Sequence, residues 1–133
     1  MIQMKTIEEV REWFKADHYA HACGVWIAEV ADGYAKCTLQ VENRHLNAAG
    51  TVMGGALFTM ADFTCAVAAN WNRGVTVTID GQINFLGAAK GGILTAEARR
   101  RKDGRTLGHY EVTIVSEHNA AVATAVFNVF QKS

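Results

Sequence analysis

The stretch from Gly54 to about Asn70 constrains the fold of this chain more than any other. It reads Gly-Gly-Ala-Leu-Phe-Thr-Met-Ala-Asp-Phe-Thr-Cys-Ala-Val-Ala-Ala-Asn, with apolar residues at nearly every helical position. A helix that is apolar almost all round cannot lie on a surface and has to be wrapped by the rest of its chain. Asp62 is the only charged side chain between Arg44 and Arg73. A carboxylate among Leu57, Phe58, Met60, Phe63 and Val67 is costly unless its charge is used or paired. Burial is expected to raise its pKa and make it a better base, and hydrogen-bond donors to lower it. The plain alternative is a structural Asp that caps a break in the helix or lies on a solvated strip.

The flanking sequence supplies the wrapping. Thr6 to about His18 reads as a short amphipathic helix, with Thr6 as N-cap, Glu8 and Glu9 in the first turn, and Ile7, Val10, Trp13 and Phe14 on one face. Val25 to Val41 reads as two strands split by the Asp32-Gly33 turn. A loop from Glu42 to Met53 leads into the apolar helix, which Arg73-Gly74 ends. Four strands follow: Val75–Phe85, Ile93–Arg101, Arg105–Glu117 and Ala121–Phe130, with turns at Gly91-Gly92, Asp103-Gly104 and His118-Asn119. The expected fold is α+β, a curved antiparallel sheet of about six strands around one long helix, with a short N-terminal helix.

Bulk properties narrow the function. The 133 residues suit one domain spanning 1–133, and a hydrophobic half of the composition is enough for a core. Lys plus Arg and Asp plus Glu are 13 each, which argues against a domain that works by gripping nucleic acid or an anionic membrane. Acidic residues stand where a leader would need an apolar run. Cys23, Cys37 and Cys65 show neither even pairing nor CxxC spacing, so the expectation is a cytoplasmic protein without disulfides or zinc.

Gly54-Gly55 at the helix start leaves backbone N–H groups pointing outward at the positive end of the helix dipole. Without side chains there, a ligand oxygen can approach closely, which is how an oxyanion site is built. Glycines that only make room for tight packing are the plain alternative.

The segment His45-Leu46-Asn47-Ala48-Ala49-Gly50-Thr51-Val52-Met53-Gly54-Gly55 through Asp62 resembles the signature of hot-dog-fold thioesterases of the phenylacetic-acid-degradation type. Asn47, Gly50, Gly54, Gly55 and Asp62 match that pattern in register, and the order of elements matches from about residue 6 to 131. The pattern departs at Met53, where most members carry His and where Met cannot donate a hydrogen bond. The resemblance implies an acyl-CoA thioesterase, releasing a carboxylic acid and free coenzyme A with no cofactor beyond the coenzyme A of the substrate. It implies that Asp62 is general base or nucleophile, that the Gly54 N–H stabilises the oxyanion, and that Asn47 orients the carbonyl or the water. Thr78, in Val77-Thr78-Ile79-Asp80, resembles the position of a hydroxyl near the acid and is the candidate for holding water. Met53, Leu57, Phe58 and Phe63, with Gly55 beside them, would line the acyl site. Lys102 and Arg105, with Lys90 as a weaker candidate, would meet the coenzyme A phosphates. A solvated strand end is the plain reading of the Arg99-Arg100-Arg101-Lys102 run. The resemblance also implies that two subunits build each site, in a homodimer and in many relatives a homotetramer.

Other signals carry less. His18-x-x-His21 is expected to straddle a helix end rather than hold a metal. His109 and His118 read as a sheet-face and a surface histidine, and Cys65 as a buried small residue. Two alternative functions remain: a hot-dog hydratase or dehydratase, which would need a His paired with an acid, and a non-catalytic acyl-CoA-binding protein.

Overall fold

Two of the turn signals become hairpins because they place a flexible residue where φ is positive. Gly33 (φ 67) and Asn119 (φ 62) adopt the left-handed conformation between strands that pair with each other, whereas Gly92 (φ 79) turns the chain between two strands that do not. The computed structural model describes residue 4, residues 6–71 and residues 74–131. Arg73, expected to help end the long helix, and the first three residues and Lys5 lie outside that range.

Three α-helices and six strands are described: α1 (Ile7–Phe14), α2 (His18–Cys23), β1 (Trp26–Ala31), β2 (Tyr34–Gln40), α3 (Gly54–Asn70), β3 (Thr76–Phe85), β4 (Ile93–Asp103), β5 (Leu107–Val115) and β6 (Ala121–Gln131). A single 3-10 turn, Asn43–His45, precedes α3. The strands form one antiparallel sheet in the order β1-β2-β4-β5-β6-β3. This is the fold expected from the sequence, with α3 packed on the sheet's inner face.

One expectation needs correcting. The N-terminal helix does not run to His18: α1 stops at Phe14, Asp17 leaves helical geometry (φ −80, ψ 72), and α2 starts afresh. His18 and His21 therefore share one short helix instead of straddling a helix end. Among the described residues, no group of three His, Cys, Asp or Glu is disposed to hold a metal ion. No described helix is long and apolar enough to cross a membrane.

Period-two burial explains how the sheet receives α3. Cys37 and Leu39 of β2, Leu94, Ala96 and Ala98 of β4, and Val112 and Ile114 of β5 are all buried against the helix, with outward neighbours exposed or half-buried. The alanines let the backbone of α3 come close. β3 differs, since it sits at the sheet edge, pairs only with β6 and buries only Thr76. Val77, Ile79 and Phe85 stay 41%, 53% and 56% exposed, so the edge is apolar as well as unpaired.

Candidate active site

The helix start of α3 is built almost entirely from backbone. Met53 occupies the N-cap without a side-chain capping bond, and its carbonyl accepts from Ala56 and Leu57. The Gly54 and Gly55 N–H groups find no acceptor among the described residues. They belong to the orphan donors of a helix N-terminus and lie in the positive field of its dipole. The two glycines are not equivalent. A Cβ on Gly54 would stand 2.9 Å from the Phe85 ring tip, whereas one on Gly55 would meet nothing within 4 Å. Packing inside this chain gives no reason for Gly55 to be glycine.

The preceding loop holds that start in place. Asn47 accepts through Oδ1 from the N–H groups of Ala49 (3.0 Å) and Thr51 (3.1 Å) and donates through Nδ2 to Thr51 Oγ1 (3.0 Å). Its amide has two N–H bonds, so one donor is still available to a ligand. Gly50 turns the loop at φ 80. The loop closes through the Leu46–Val52 bridge, Val52 N–H to the Ala89 carbonyl (2.8 Å) and Met53 N–H to the His45 carbonyl (2.8 Å). A cleft of about 520 Å³ opens beside Asn47, Gly54, Leu57, Phe85 and Leu86. Met53 is 57% exposed next to it.

Two helical turns further on, Asp62 is half-buried and accepts a hydrogen bond from Thr78 Oγ1 at 3.1 Å. Burial pushes its pKa above the ordinary carboxylate value, Thr78 pulls it back, and the nearby Asp17 carboxylate raises it further. The geometry depends on a bulge. The β3–β6 register slips between Thr78 and Asp80, so Thr78 faces the helix while Asp80 turns outward to accept from Asn128 Nδ2 (2.8 Å). Asp17 and Trp13 border an adjoining cleft of about 310 Å³ that Ala66 and Asn70, below Asp62 on α3, also line.

The remaining candidates are scattered. Phe58 packs edge to face on Phe127 (5.6 Å between ring centres), between α3 and the sheet. Phe63 packs similarly on Phe14, 5.5 Å away. Lys102 is the next-to-last residue of β4 and Arg105 lies in the β4–β5 turn; both are exposed and neither makes an ion pair among the described residues. Arg99, Arg100 and Arg101 instead pair with Glu97, Asp32 and Glu111. Lys90 is exposed beside Ala89, at the helix-start end of the sheet. The Cys65 thiol is buried and pushed upward in pKa by burial and by Asp62, which disfavours a thiolate.

The sequence reading passed over two residues that the structure brings to the site. Asp17 gave no signal beyond its proximity to a helix end. His45 had one, since Glu42-x-x-His45 has capping-box spacing with a ring in place of the usual Glu or Gln.

A six-stranded antiparallel sheet packed around one long helix, with a short helix at its N-terminal side, defines a hot-dog fold. Comparison with known proteins agrees with this: the thioesterase superfamily matches residues 49–123 of the chain. Acyl-coenzyme A thioesterase PaaI of Escherichia coli is 32% identical over 120 residues, covering 90% of this chain and 86% of that protein. Its structure superposes with a TM-score of 0.88 at 30% identity, over 92% of this chain and 90% of that one. A hypothetical thioesterase of Streptococcus pneumoniae solved with coenzyme A gives 0.84 at 28% identity, over 90% of this chain and 97% of that one. The chain belongs to the thioesterase superfamily, in its PaaI-like hot-dog form, and is a thioester hydrolase.

Proposed function

We propose that the protein hydrolyses acyl-CoA to a carboxylic acid and free coenzyme A, and that two copies of the chain build each site. The observation that carries this reading is the pair of unpaired N–H groups at Gly54 and Gly55 on the same helix as the half-buried Asp62. A thioester needs both elements, a donor where negative charge develops on oxygen and a base for water. The relatives named as acyl-CoA thioesterase and the neighbour solved with coenzyme A support the substrate class.

Within one chain the two elements do not meet. Gly54 and Asp62 are eight residues apart on α3, which is about 12 Å along the axis and far beyond hydrogen-bond reach of one carbonyl. The Gly54 end of one subunit therefore works with Asp62 of another. The exposed apolar edge of β3, which also carries Thr78, suits pairing with a second copy, and a pair of such dimers gives a tetramer.

In the assembled site, Thr78 orients the Asp62 carboxylate through Oδ1 and leaves Oδ2 to take a proton from water. The hydroxide attacks the carbonyl carbon, negative charge gathers on oxygen at the Gly54 N–H, and collapse expels the thiolate. Asn47 supplies its spare N–H to the carbonyl or to the water. A direct attack by Asp62 through an anhydride gives the same products. Met53, Gly55 and Phe58 line the acyl side. Lys102, Arg105 and Lys90, which make no ion pair among the described residues, serve the phosphates of coenzyme A. Incubating the protein with a panel of acyl-CoAs and a thiol reagent tests the reading. Thiol release from at least one of them is expected, and none from any would overturn it.

A further inference from the structure

His45 lies outside the machinery described so far. It is 4% exposed, and both of its ring nitrogens are committed to backbone groups. The Glu42 N–H donates to Nδ1 at 2.9 Å, and Nε2 lies 2.7 Å from the Cys23 carbonyl in the last turn of α2. A backbone N–H can only donate and a carbonyl can only accept, so Nδ1 is bare and Nε2 carries the hydrogen. One neutral tautomer satisfies both neighbours. With neither nitrogen free, the ring has none to offer a substrate, so it is not a general base.

The main chain of the same residue bears on the helix start. The His45 carbonyl accepts the Met53 N–H at 2.8 Å, immediately before the Gly54 donor. Residues 45 to 53 form a loop whose two ends meet at that bond, cross-tied by Leu46–Val52 and by the Asn47 side chain. Arg44 adds a second grip by donating to the Ala22 carbonyl, so two adjacent side chains hold the C-terminus of α2. We propose that His45 is a positioning residue for the thioester carbonyl: its imidazole ties the base of the Asn47–Gly54 loop to α2 and fixes the direction of the Gly54 N–H. The proposal rests on the reading of Gly54 as the oxyanion donor.

The chemistry explains why a His suits this place. The brace needs an acceptor on one side and a donor on the other, held rigidly across a dry gap between two backbone segments. A neutral imidazole offers both on one plane with few rotamers to fix. An oxyanion donor works only when aimed beforehand, since a shift of about 1 Å costs about a hundredfold in rate. Loss of the brace therefore falls on kcat more than on substrate capture, because Lys102 and Arg105, two of the cations assigned to coenzyme A, lie away from the loop at the β4–β5 turn.

The test compares His45→Ala, His45→Gln and His45→Asn in the full chain in its solution assembly. The readouts are steady-state kinetics on the acyl-CoA that the wild type turns over fastest, and amide exchange by mass spectrometry over residues 46–57. His45→Ala is expected to lower kcat by about thirtyfold with KM within about threefold of wild type, and to speed exchange at Val52 and Met53, whose N–H groups are bonded to Ala89 and His45. His45→Gln, which keeps a donor for Cys23, or His45→Asn, which keeps an acceptor for Glu42, is expected to recover part of kcat and slow the exchange again. A kcat in His45→Ala within threefold of wild type overturns the proposal, as does a change confined to KM. Should His45→Ala fail to fold, the two amide variants decide: faster exchange with wild-type kcat in both overturns it. No thiol release by the wild type defeats the functional reading itself, whereas release that is indifferent to His45 defeats only this proposal.

Discussion

The start of α3 and its middle do opposite kinds of work. At the start the exposed donors are backbone: neutral N–H groups at Gly54 and Gly55, fixed by main-chain bonds from Met53 to His45 and from Val52 to Ala89, with the Asn47 side chain holding the loop before them. In the middle the useful group is a charged side chain, Asp62, held by one hydrogen bond from an edge strand. The first station is rigid and gains strength from the helix dipole, while the second is tunable, its proton affinity set by burial, Thr78 and Asp17. A donor for an oxyanion has to be preorganised, whereas an acid–base group needs a pKa near its working range, and the proposed reaction assigns the first role to the helix start and the second to Asp62.

The largest expected effect removes the charge at the second station. Asp62→Asn should lower kcat by about a thousandfold, the scale of a lost general base, with the assembly intact. Its effect on stability runs the other way. Burial raises the folded-state pKa above the ordinary value of 3.8, so folding favours the protonated form. That contribution is fully present below the unfolded pKa and is lost as pH rises through the folded one, leaving a buried charge as a cost at neutral pH. Asp62→Asn should therefore raise the melting temperature at pH 7, and the gain should shrink as pH falls toward the ordinary carboxylate value. Melting curves against pH check this. A gain that persists unchanged in acid would mean that the carboxylate is not desolvated.

The next effect tests the first station. Gly55→Ala places a methyl where this chain has nothing within 4 Å, and it improves helix propensity by about 1 kcal/mol. The variant should melt no lower than wild type and yet lose about tenfold to a hundredfold in kcat/KM, because the open space belongs to substrate or to the partner subunit. Unchanged kcat/KM would move the carbonyl site away from the helix start. Gly54→Ala is a less clean probe, since the added methyl pushes on Phe85.

A smaller change loosens the coupling between Asp62 and the edge strand. Thr78→Val removes the donor that lowers the Asp62 pKa, at about tenfold in kcat for a hydrogen bond to a charged group. The acid limb of the pH–rate profile should move upward. A drop in rate without that movement would leave Thr78 with a steric role only.

The two stations were also unequally legible in the sequence. α3 could be read because its apolar residues run all round the helix, which leaves one arrangement for the remainder of the chain. Asp32-Gly33 and His118-Asn119 placed two hairpins because positive φ restricts which residues can occupy such turns. The short helix α2 escaped notice because six residues carry no apolar stripe, and its limits are set by backbone geometry at Asp17 and Gly24. Thr78 was named by resemblance, but strand alternation alone would put it on the same face as Asp80. The bulge at Ile79 separates them, and it leaves no mark in residue type. His45 was hidden for a related reason, since its partners are a main-chain N–H and a main-chain carbonyl far from it in sequence.

The smallest expected effect returns to the residue that sets this chain apart from the pattern it otherwise matches. Met53 stands at the N-cap of α3, exposed and without a capping bond, beside the Gly54 donor. A thioether offers no hydrogen to a carbonyl, so residue 53 itself contributes no side-chain donor. Met53→His would add a side-chain donor at a site whose backbone geometry is already fixed by the His45 carbonyl. One added hydrogen bond of ordinary net strength predicts a kcat higher by about threefold to tenfold, with little change in stability because the side chain is exposed. Steady-state kinetics on matched substrates check it. A fall in kcat together with a rise in KM would show instead that the Met53 side chain is part of the acyl wall. Its flexible, polarizable chain would then be what fits this site to its own substrate.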